Sequence, residues 1–215
     1  ADPYLKGKMM LSLYYTPGTI SIAVAIALED AGLHYRAVRV DFATAEQTKP
    51  DYLAINPKGR VPALRLEDDT ILTETGALLD YVAAIAPKAG LSPSDATAAA
   101  QMRSAMYYLA STMHVAHAHK MRGSRWAKHQ SSFDDMTAQV PETMAACADF
   151  VENDILRGPY VLGDAFSLAD PYLFVVCNWL EGDGVETAAY PKITAFMQQM
   201  KARDSVVAVK DKGML

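Results

Sequence analysis

The sequence predicts an α/β domain followed by an all-helical domain, and three observations carry this prediction. Strand-like and helix-like segments alternate over residues 9–86. Residues 87–93 are rich in Pro, Gly and Ser, which is typical of a linker. Residues 94–215 show helical periodicity without the alternating β-branched runs of strands. We therefore expect domains at 9–86 and 94–215, joined by a linker at 87–93.

In the first domain the predicted order is β-α-β, an irregular segment, then β-β-α. An apolar, aromatic run at 10–15, stopped by Thr16-Pro17-Gly18, predicts the first strand, and the Ala- and Ile-rich stretch 19–31 predicts a helix. The remaining elements are expected as strands at 35–40, 62–66 and 70–73 and a helix at 75–85. A parallel β-α-β unit followed by a hairpin and a covering helix forms one compact α/β domain.

The second domain is predicted to contain helices only. They are expected at about 95–121, 132–156, 167–180, 191–203 and 205–210. The first carries a stripe of apolar side chains, most simply interpreted as core: Met102, Met106, Leu109 and Met113. The third begins with a capping box, in which Asp170 stands three residues after Ser167.

Composition and charge exclude several function classes. The 215 residues include 20 Lys+Arg and 25 Asp+Glu, so the net charge is −5, and a mildly acidic chain is not expected to bind nucleic acid or an anionic membrane. Two cysteines, Cys147 and Cys177, exclude a disulfide framework. No apolar run reaches the roughly 18 residues of a membrane span. We expect a cytoplasmic protein and interpret the polar residues 1–8 as partly a cloning remnant.

The first candidate binding segment is Val61-Pro62, at the start of a predicted strand. Proline opens a strand mainly where its missing N–H is not needed, and a cis bond here would turn the chain so that the Val61 N–H and C=O can pair with an extended peptide ligand. The alternative is an ordinary turn proline.

The second candidate segment is Glu74-Thr75, at the start of a predicted helix. The helix dipole and unpaired N–H groups favour a bound carboxylate there, and Thr75 adds a hydroxyl. Glu74 is placed to accept from an ammonium group, so the pair suits the α-amino acid end of a ligand. The alternative is a simple N-cap.

Together these segments resemble the cytosolic glutathione S-transferases over nearly the whole chain. The resemblance rests on four segments in order, and the first of them is most similar to the bacterial beta class: residues 13–21, residues 56–64, Glu74-Thr75 and the capping box 167–170. It implies a thioredoxin-like N-terminal domain, an all-helical C-terminal domain, a homodimer, and glutathione bound between the domains. The implied activity is detoxification, with a glutathione thiolate attacking a small electrophilic or hydrophobic substrate.

One position departs from the beta class, where a cysteine able to form a mixed disulfide with glutathione stands. This sequence has Ile20 there. We predict that Ser21 donates to the glutathione sulfur instead, with Thr19, Tyr15 or the backbone N–H groups as alternatives, since the helix dipole favours a thiolate. Ser21 acting only as a helix cap is a further alternative.

The resemblance also implies roles for residues outside these segments. His114 corresponds to a histidine near the sulfur and the second substrate, which makes it a candidate acid or hydrogen-bond donor. The remaining candidates are Lys49 or Lys58 for the glycyl carboxylate, Tyr107 and Ser111 for glutathione, and His117, Arg122 and Trp126 for the acceptor substrate. Arg122 and Trp126 would suit a planar or anionic substrate, or form only a stacked surface pair.

Three further expectations concern cofactors and rival functions. No carboxylate accompanies His114, His117 and His119 within the same turns, so no metal site is expected. Glutathione is the expected co-substrate. The rival functions are a glutathione-dependent thiol reductase or peroxidase, and a non-catalytic protein that binds glutathione or another ligand.

Overall fold

The computed structural model describes residues 10–215, so the predicted remnant at 1–8 lies outside the described residues. The described chain forms two compact units. The first comprises residues up to Leu91 together with Asp204–Leu215, and the second comprises Ser92–Arg203. The predicted domain at 94–215 therefore differs from the second unit at its carboxyl end, which packs with the first unit.

The first unit is built on a four-stranded mixed sheet in the order β2-β1-β3-β4. The strands are β1 (Leu11–Tyr15), β2 (Tyr35–Arg39), β3 (Ala63–Arg65) and β4 (Ile71–Thr73). β1 pairs parallel with β2 and antiparallel with β3, and β3 pairs antiparallel with β4. The predicted β-α-β unit and the following hairpin are both present.

The helices of the first unit are α1 (Ser21–Asp30), α2 (Pro50–Leu53) and α3 (Thr75–Ile85), with α9 (Asp204–Asp211) from the carboxyl end. The first eight residues of α1 are buried, because α3 and α9 both pack against it. Ser205 Oγ donates to Asp30 Oδ2 at 3.0 Å, and the Gly18 N–H donates to the Met214 carbonyl at 2.9 Å. These contacts explain why the last helix belongs to this unit.

The second unit is entirely helical, as predicted. Its helices are α4 (Ala96–Tyr108), α5 (His114–Ala118), α6 (Gln130–Phe150), α7 (Ala169–Cys177) and α8 (Pro191–Lys201). The helix predicted at 95–121 is divided into α4 and α5 by a π-helical segment, Leu109–Met113, and a second π-helical segment, Val151–Ile155, ends α6. The predicted apolar stripe from Met102 to Met113 is buried, so its interpretation as core is confirmed.

Asp170 lies fully buried in the first turn of α7. Its carboxylate accepts from the Ser167 N–H at 2.7 Å and the Ser167 hydroxyl at 3.3 Å, which is the bond from Asp170 back to Ser167 that the predicted capping box requires. It also accepts from the Val161 N–H at 2.9 Å. Burial raises the pKa of Asp170 to about 6, against the lowering effect of these hydrogen bonds. Through these hydrogen bonds, Asp170 connects residues 161–167 to the first turn of α7.

A membrane-spanning helix is not found among residues 10–215, since none of their helices is both long and apolar enough.

Candidate active site

The candidate binding segments of the first unit meet at one end of the sheet. Ala63, the first residue of β3, pairs with Tyr14 of β1 on one side and with Thr73 of β4 on the other. Continuing this register by one residue places three positions side by side: Tyr15, Pro62 and Glu74. The sheet therefore brings together segments that lie up to 60 residues apart along the chain, as the numbering shows.

The Val61-Pro62 peptide bond is cis, as predicted. The preceding carbonyl, that of Arg60, accepts from Tyr52 Oη and from Asn56 Nδ2, both at 2.7 Å. Because Asn56 is buried, its hydrogen bond to the Arg60 carbonyl lies inside the unit. Among residues 10–215, no backbone group bonds to the Val61 N–H or C=O. These two groups can therefore pair with an extended ligand.

Glu74 precedes α3 in a backbone conformation that is uncommon for a residue with a side chain. Its φ is +75° and its ψ is 120°. Such conformations cost about 1–3 kcal/mol and concentrate at functional sites. Glu74 is 68% exposed in its side chain, whereas Thr75, the first residue of α3, is buried. An exposed carboxylate thus stands next to a helix N-terminus that favours an anion.

Of the two lysines predicted to reach a carboxylate, Lys58 lies at this end of the sheet. Lys58 Nζ forms an ion pair with the Glu74 carboxylate and donates to Thr73 Oγ1 at 2.8 Å. Lys49 is the exposed N-cap residue of α2, and its role stays a prediction.

Ser21, the first residue of α1, is fully buried. Its Oγ accepts from the Thr16 N–H at 3.2 Å and lies 2.7 Å from Thr19 Oγ1. Thr19 Oγ1 donates to the Thr16 carbonyl at 2.8 Å. Both hydroxyls therefore close the turn. The prediction that Ser21 donates to a ligand sulfur stays a prediction, and its surroundings favour a positioning role.

Next to the Ser21 and Thr19 hydroxyls, the first turn of α1 carries backbone N–H donors. Ile20 is the N-cap residue, and the N–H groups of Ile22 and Ala23 donate to the carbonyls of Thr19 and Ile20, both at 3.1 Å. In the described chain, the N–H groups of Ile20 and Ser21 have no such backbone acceptor. The side chains of Ile20 and Tyr15 are buried.

In the second unit, His114 and His117 of α5 contact Trp179. The His117 ring stacks on the indole with centroids 4.2 Å apart and an interplanar angle of 19°. The His114 ring lies 4.9 Å from the indole at 55°. Two of the predicted acceptor-site residues are therefore neighbours on one aromatic surface.

The carboxylate that holds His117 could not be predicted from the sequence. Asp183 Oδ2 lies 2.7 Å from His117 Nδ1, and its side chain is 1% exposed. Lys120 Nζ lies 3.5 Å from the other oxygen, Oδ1, and also donates to the Gly182 carbonyl. Asp183 is distant in sequence from α5, so no local spacing could have indicated this contact.

The other predicted residues of the second unit lie on its surface. Tyr107 is 63% exposed, and Ser111 and Arg122 are also exposed. Trp126, 47% exposed, packs edge-on against His119 with ring centroids 4.5 Å apart. Over residues 10–215, no group of three His, Cys, Asp or Glu side chains is arranged to hold a metal ion.

Comparisons with known proteins match both units. The family model of the glutathione S-transferase N-terminal domain matches residues 9–84, and that of the C-terminal domain matches residues 134–199. A crystal structure of a glutathione transferase homolog from Sulfitobacter with bound glutathione is 88% identical, covers 96% of this chain and 100% of its own, and has a TM-score of 0.96. The chain belongs to the glutathione S-transferase family.

Two other members of the family are similar over nearly the whole transferase chain. Glutathione S-transferase GstA of Escherichia coli O157:H7 is 30% identical over 91% of this chain and 95% of its own. The beta-class transferase of Sphingomonas chungbukensis is 32% identical, covers 95% of this chain and 100% of its own, and has a TM-score of 0.82. The resemblance to bacterial transferases and the predicted fold class are confirmed.

Proposed function

We propose that this transferase binds glutathione at the end of the sheet formed by Val61, Pro62 and Glu74, and activates it as a thiolate for attack on a small electrophile. The observation that carries the proposal is the meeting of a free strand-like backbone at Val61 with a carboxylate and a helix N-terminus at Glu74-Thr75. The bound glutathione of the Sulfitobacter relative supports it.

Each part of glutathione has a matching group. The α-carboxylate of the γ-glutamyl end accepts from the first amides of α3 and from Thr75, while its ammonium group pairs with Glu74. The cysteinyl backbone pairs with the Val61 N–H and C=O. Lys49 is the proposed cation for the glycyl carboxylate, and Lys58 is the alternative if it leaves its ion pair with Glu74 when the ligand binds.

The thiol then lies at the N-terminus of α1. We propose that the N–H groups of Ile20 and Ser21 donate to the sulfur, and that the α1 dipole favours the thiolate. The Ser21 and Thr19 hydroxyls hold this turn in shape. Tyr15, or the Ser21 hydroxyl after a local rearrangement, is the alternative donor.

We propose that the acceptor substrate binds in the helical unit, on the aromatic surface of Trp179 with His114 and His117, whose ring contacts support this assignment. Arg122 and Trp126 are proposed to extend this site. Tyr107 and Ser111 are exposed, which supports a contact with glutathione or with the second subunit of a homodimer. A cytoplasmic location is part of the same proposal.

The first rival function is a thiol reductase that forms a mixed disulfide between a protein cysteine and glutathione. The burial of both cysteines disfavours it. Cys147 and Cys177 are both buried, and burial raises the pKa of each thiol. A thiol with a raised pKa supplies little thiolate at neutral pH.

A turnover assay with glutathione and an electron-poor aryl chloride tests the proposed function. We expect product formation well above the reaction in buffer, saturating with glutathione. A parallel assay with a small disulfide measures the reductase activity. Turnover of the disulfide alone would replace the proposal with the reductase, and glutathione binding without turnover of either substrate would replace it with the carrier.

A further inference from the structure

Lys58 pairs with the same carboxylate that is assigned above to the ammonium group of glutathione. Its Nζ forms an ion pair with Glu74 and donates to Thr73 Oγ1 at 2.8 Å. A lysine ammonium and the α-ammonium of glutathione are both primary, carry one positive charge and have three N–H donors. Lys58 therefore gives Glu74 the same kind of partner that the ligand brings.

The turn that carries Lys58 is fixed by its backbone. The Lys58 N–H donates to Asn56 Oδ1 at 3.2 Å, and the Gly59 N–H donates to the Asn56 carbonyl at 2.9 Å. Gly59 has a φ of +62°, and a Cβ at this position would lie 3.0 Å from the Gln47 carbonyl oxygen. Asn56 itself is buried and also donates to the Arg60 carbonyl. Because the turn is held in this way, only the Lys58 side chain has to move for the ion pair to open.

The ion pair lies where it can open at little cost. The side chains of Lys58 and Glu74 are 41% and 68% exposed. Exposed ion pairs contribute little to stability, because water solvates both charges when they separate. Two ammonium groups that share one carboxylate repel each other. A ligand ammonium that binds Glu74 is therefore expected to displace the Lys58 ammonium into solvent.

We propose that Lys58 occupies the ammonium position of the glutathione site in the free protein and is exchanged for the α-ammonium of the ligand on binding. Lys58 is then a specificity-determining residue, since it competes with ligands that carry an ammonium group and not with ligands that lack one. The inference rests on the proposed function, in which Glu74 accepts from that ammonium. The residues that carry it all belong to the first unit.

The exchange predicts opposite effects of Lys58 on two ligands. When glutathione binds, its ammonium pairs with Glu74 but the Lys58–Glu74 pair is lost, so removing Lys58 strengthens binding. The analogue without the α-amino group, N-glutaryl-cysteinylglycine, leaves the Lys58–Glu74 pair intact. Removing Lys58 exposes this anionic analogue to the unpaired charge of Glu74, which weakens its binding. Lys58 thus narrows the difference in affinity between the two ligands.

Isothermal titration of Lys58→Gln with glutathione and with the glutaryl analogue tests the exchange. We expect the Kd for glutathione to fall about two- to fivefold, the range of an exposed ion pair. The Kd for the analogue should stay the same or rise. The gain should also require Glu74, so the double variant Lys58→Gln, Glu74→Ala should bind glutathione no more tightly than Glu74→Ala alone.

Lys88→Gln is the matched control for the loss of one positive charge. Lys88 is an exposed lysine just beyond the far end of α3, a helix roughly 16 Å long that begins next to Glu74. This variant should leave the Kd values of both ligands unchanged.

The outcomes separate the inference from the function on which it rests. Where the wild type binds glutathione and Glu74→Ala binds it more weakly, the proposed site stands. Against that background, an unchanged or higher Kd for glutathione in Lys58→Gln, or a gain that persists without Glu74, would overturn the exchange alone. Absence of glutathione binding by the wild type, or equal Kd values for the wild type and Glu74→Ala, would overturn both.

Discussion

Replacing Asp170 with alanine is expected to destabilise the second unit by about 3–5 kcal/mol. The change leaves the buried N–H groups of Val161 and Ser167, and the Ser167 hydroxyl, without their acceptor. Each buried donor left unpaired costs about 1–3 kcal/mol. Since a domain is stable by only about 5–15 kcal/mol, the variant loses a large part of its stability. Chemical denaturation at pH 7 measures the effect.

The control and the pH dependence sharpen this prediction. The control is Asp164, an exposed aspartate in the same segment. Asp164→Ala should lower the free energy of unfolding by less than about 0.5 kcal/mol. The pKa of Asp170 is raised to about 6 in the folded protein. The contribution of this carboxyl group to the free energy of unfolding is therefore greatest below pH 4 and declines as the pH rises through 6. The stability difference between wild type and Asp170→Ala should therefore be larger at pH 4.5 than at pH 7. A pH-independent difference, or one as small as that of Asp164→Ala, would contradict this role.

Replacing Glu74 with alanine is expected to weaken glutathione binding by about 10- to 100-fold. The variant loses the charged partner proposed for the ligand ammonium, and hydrogen bonds to charged groups contribute about 1.5–3 kcal/mol. The loss should appear in Kd and KM more than in kcat, since the ammonium group lies far from the reacting sulfur. Isothermal titration with glutathione measures it.

Two comparisons distinguish a binding role from a structural one. Glu67 is an exposed glutamate at the opposite end of the β3–β4 hairpin, and Glu67→Ala should bind glutathione as the wild type does. The Glu74–Lys58 ion pair is exposed, so its loss should change the unfolding free energy by less than about 1 kcal/mol. Equal Kd values for Glu74→Ala and Glu67→Ala would exclude Glu74 from the site.

Local patterns were sufficient to predict several elements of the fold, including the strand start that carries the proposed glutathione site. Proline at the start of a strand indicated the cis bond at Val61-Pro62, and the spacing of Ser167 and Asp170 indicated the hydrogen bond between them at the start of α7; both are present. The parallel pairing of β1 with β2 and the β3–β4 hairpin followed from the predicted β-α-β and hairpin motifs. These signals are readable because each depends on residues close together in sequence.

Contacts between distant residues could not be predicted in the same way. Asp183 contacts His117 from the turn that follows α7, and α9 packs on α1 from the far end of the chain. The burial of Ser21 also depends on α3 and α9, which pack against α1 from distant parts of the chain. The π-helical segment at 109–113 carries no proline or glycine that would indicate a break.

The most direct test of the account is the ultraviolet absorbance of the glutathione thiolate on the protein, titrated from about pH 5 to pH 9 against free glutathione. The same titration on Ser21→Ala assigns the donor: an unchanged curve supports the backbone N–H groups, and a curve moved toward that of free glutathione supports the hydroxyl. For the wild type, we expect the thiol of bound glutathione to have an apparent pKa well below that of free glutathione. Binding with an unshifted pKa would contradict thiolate activation, and absence of binding would contradict the glutathione site itself.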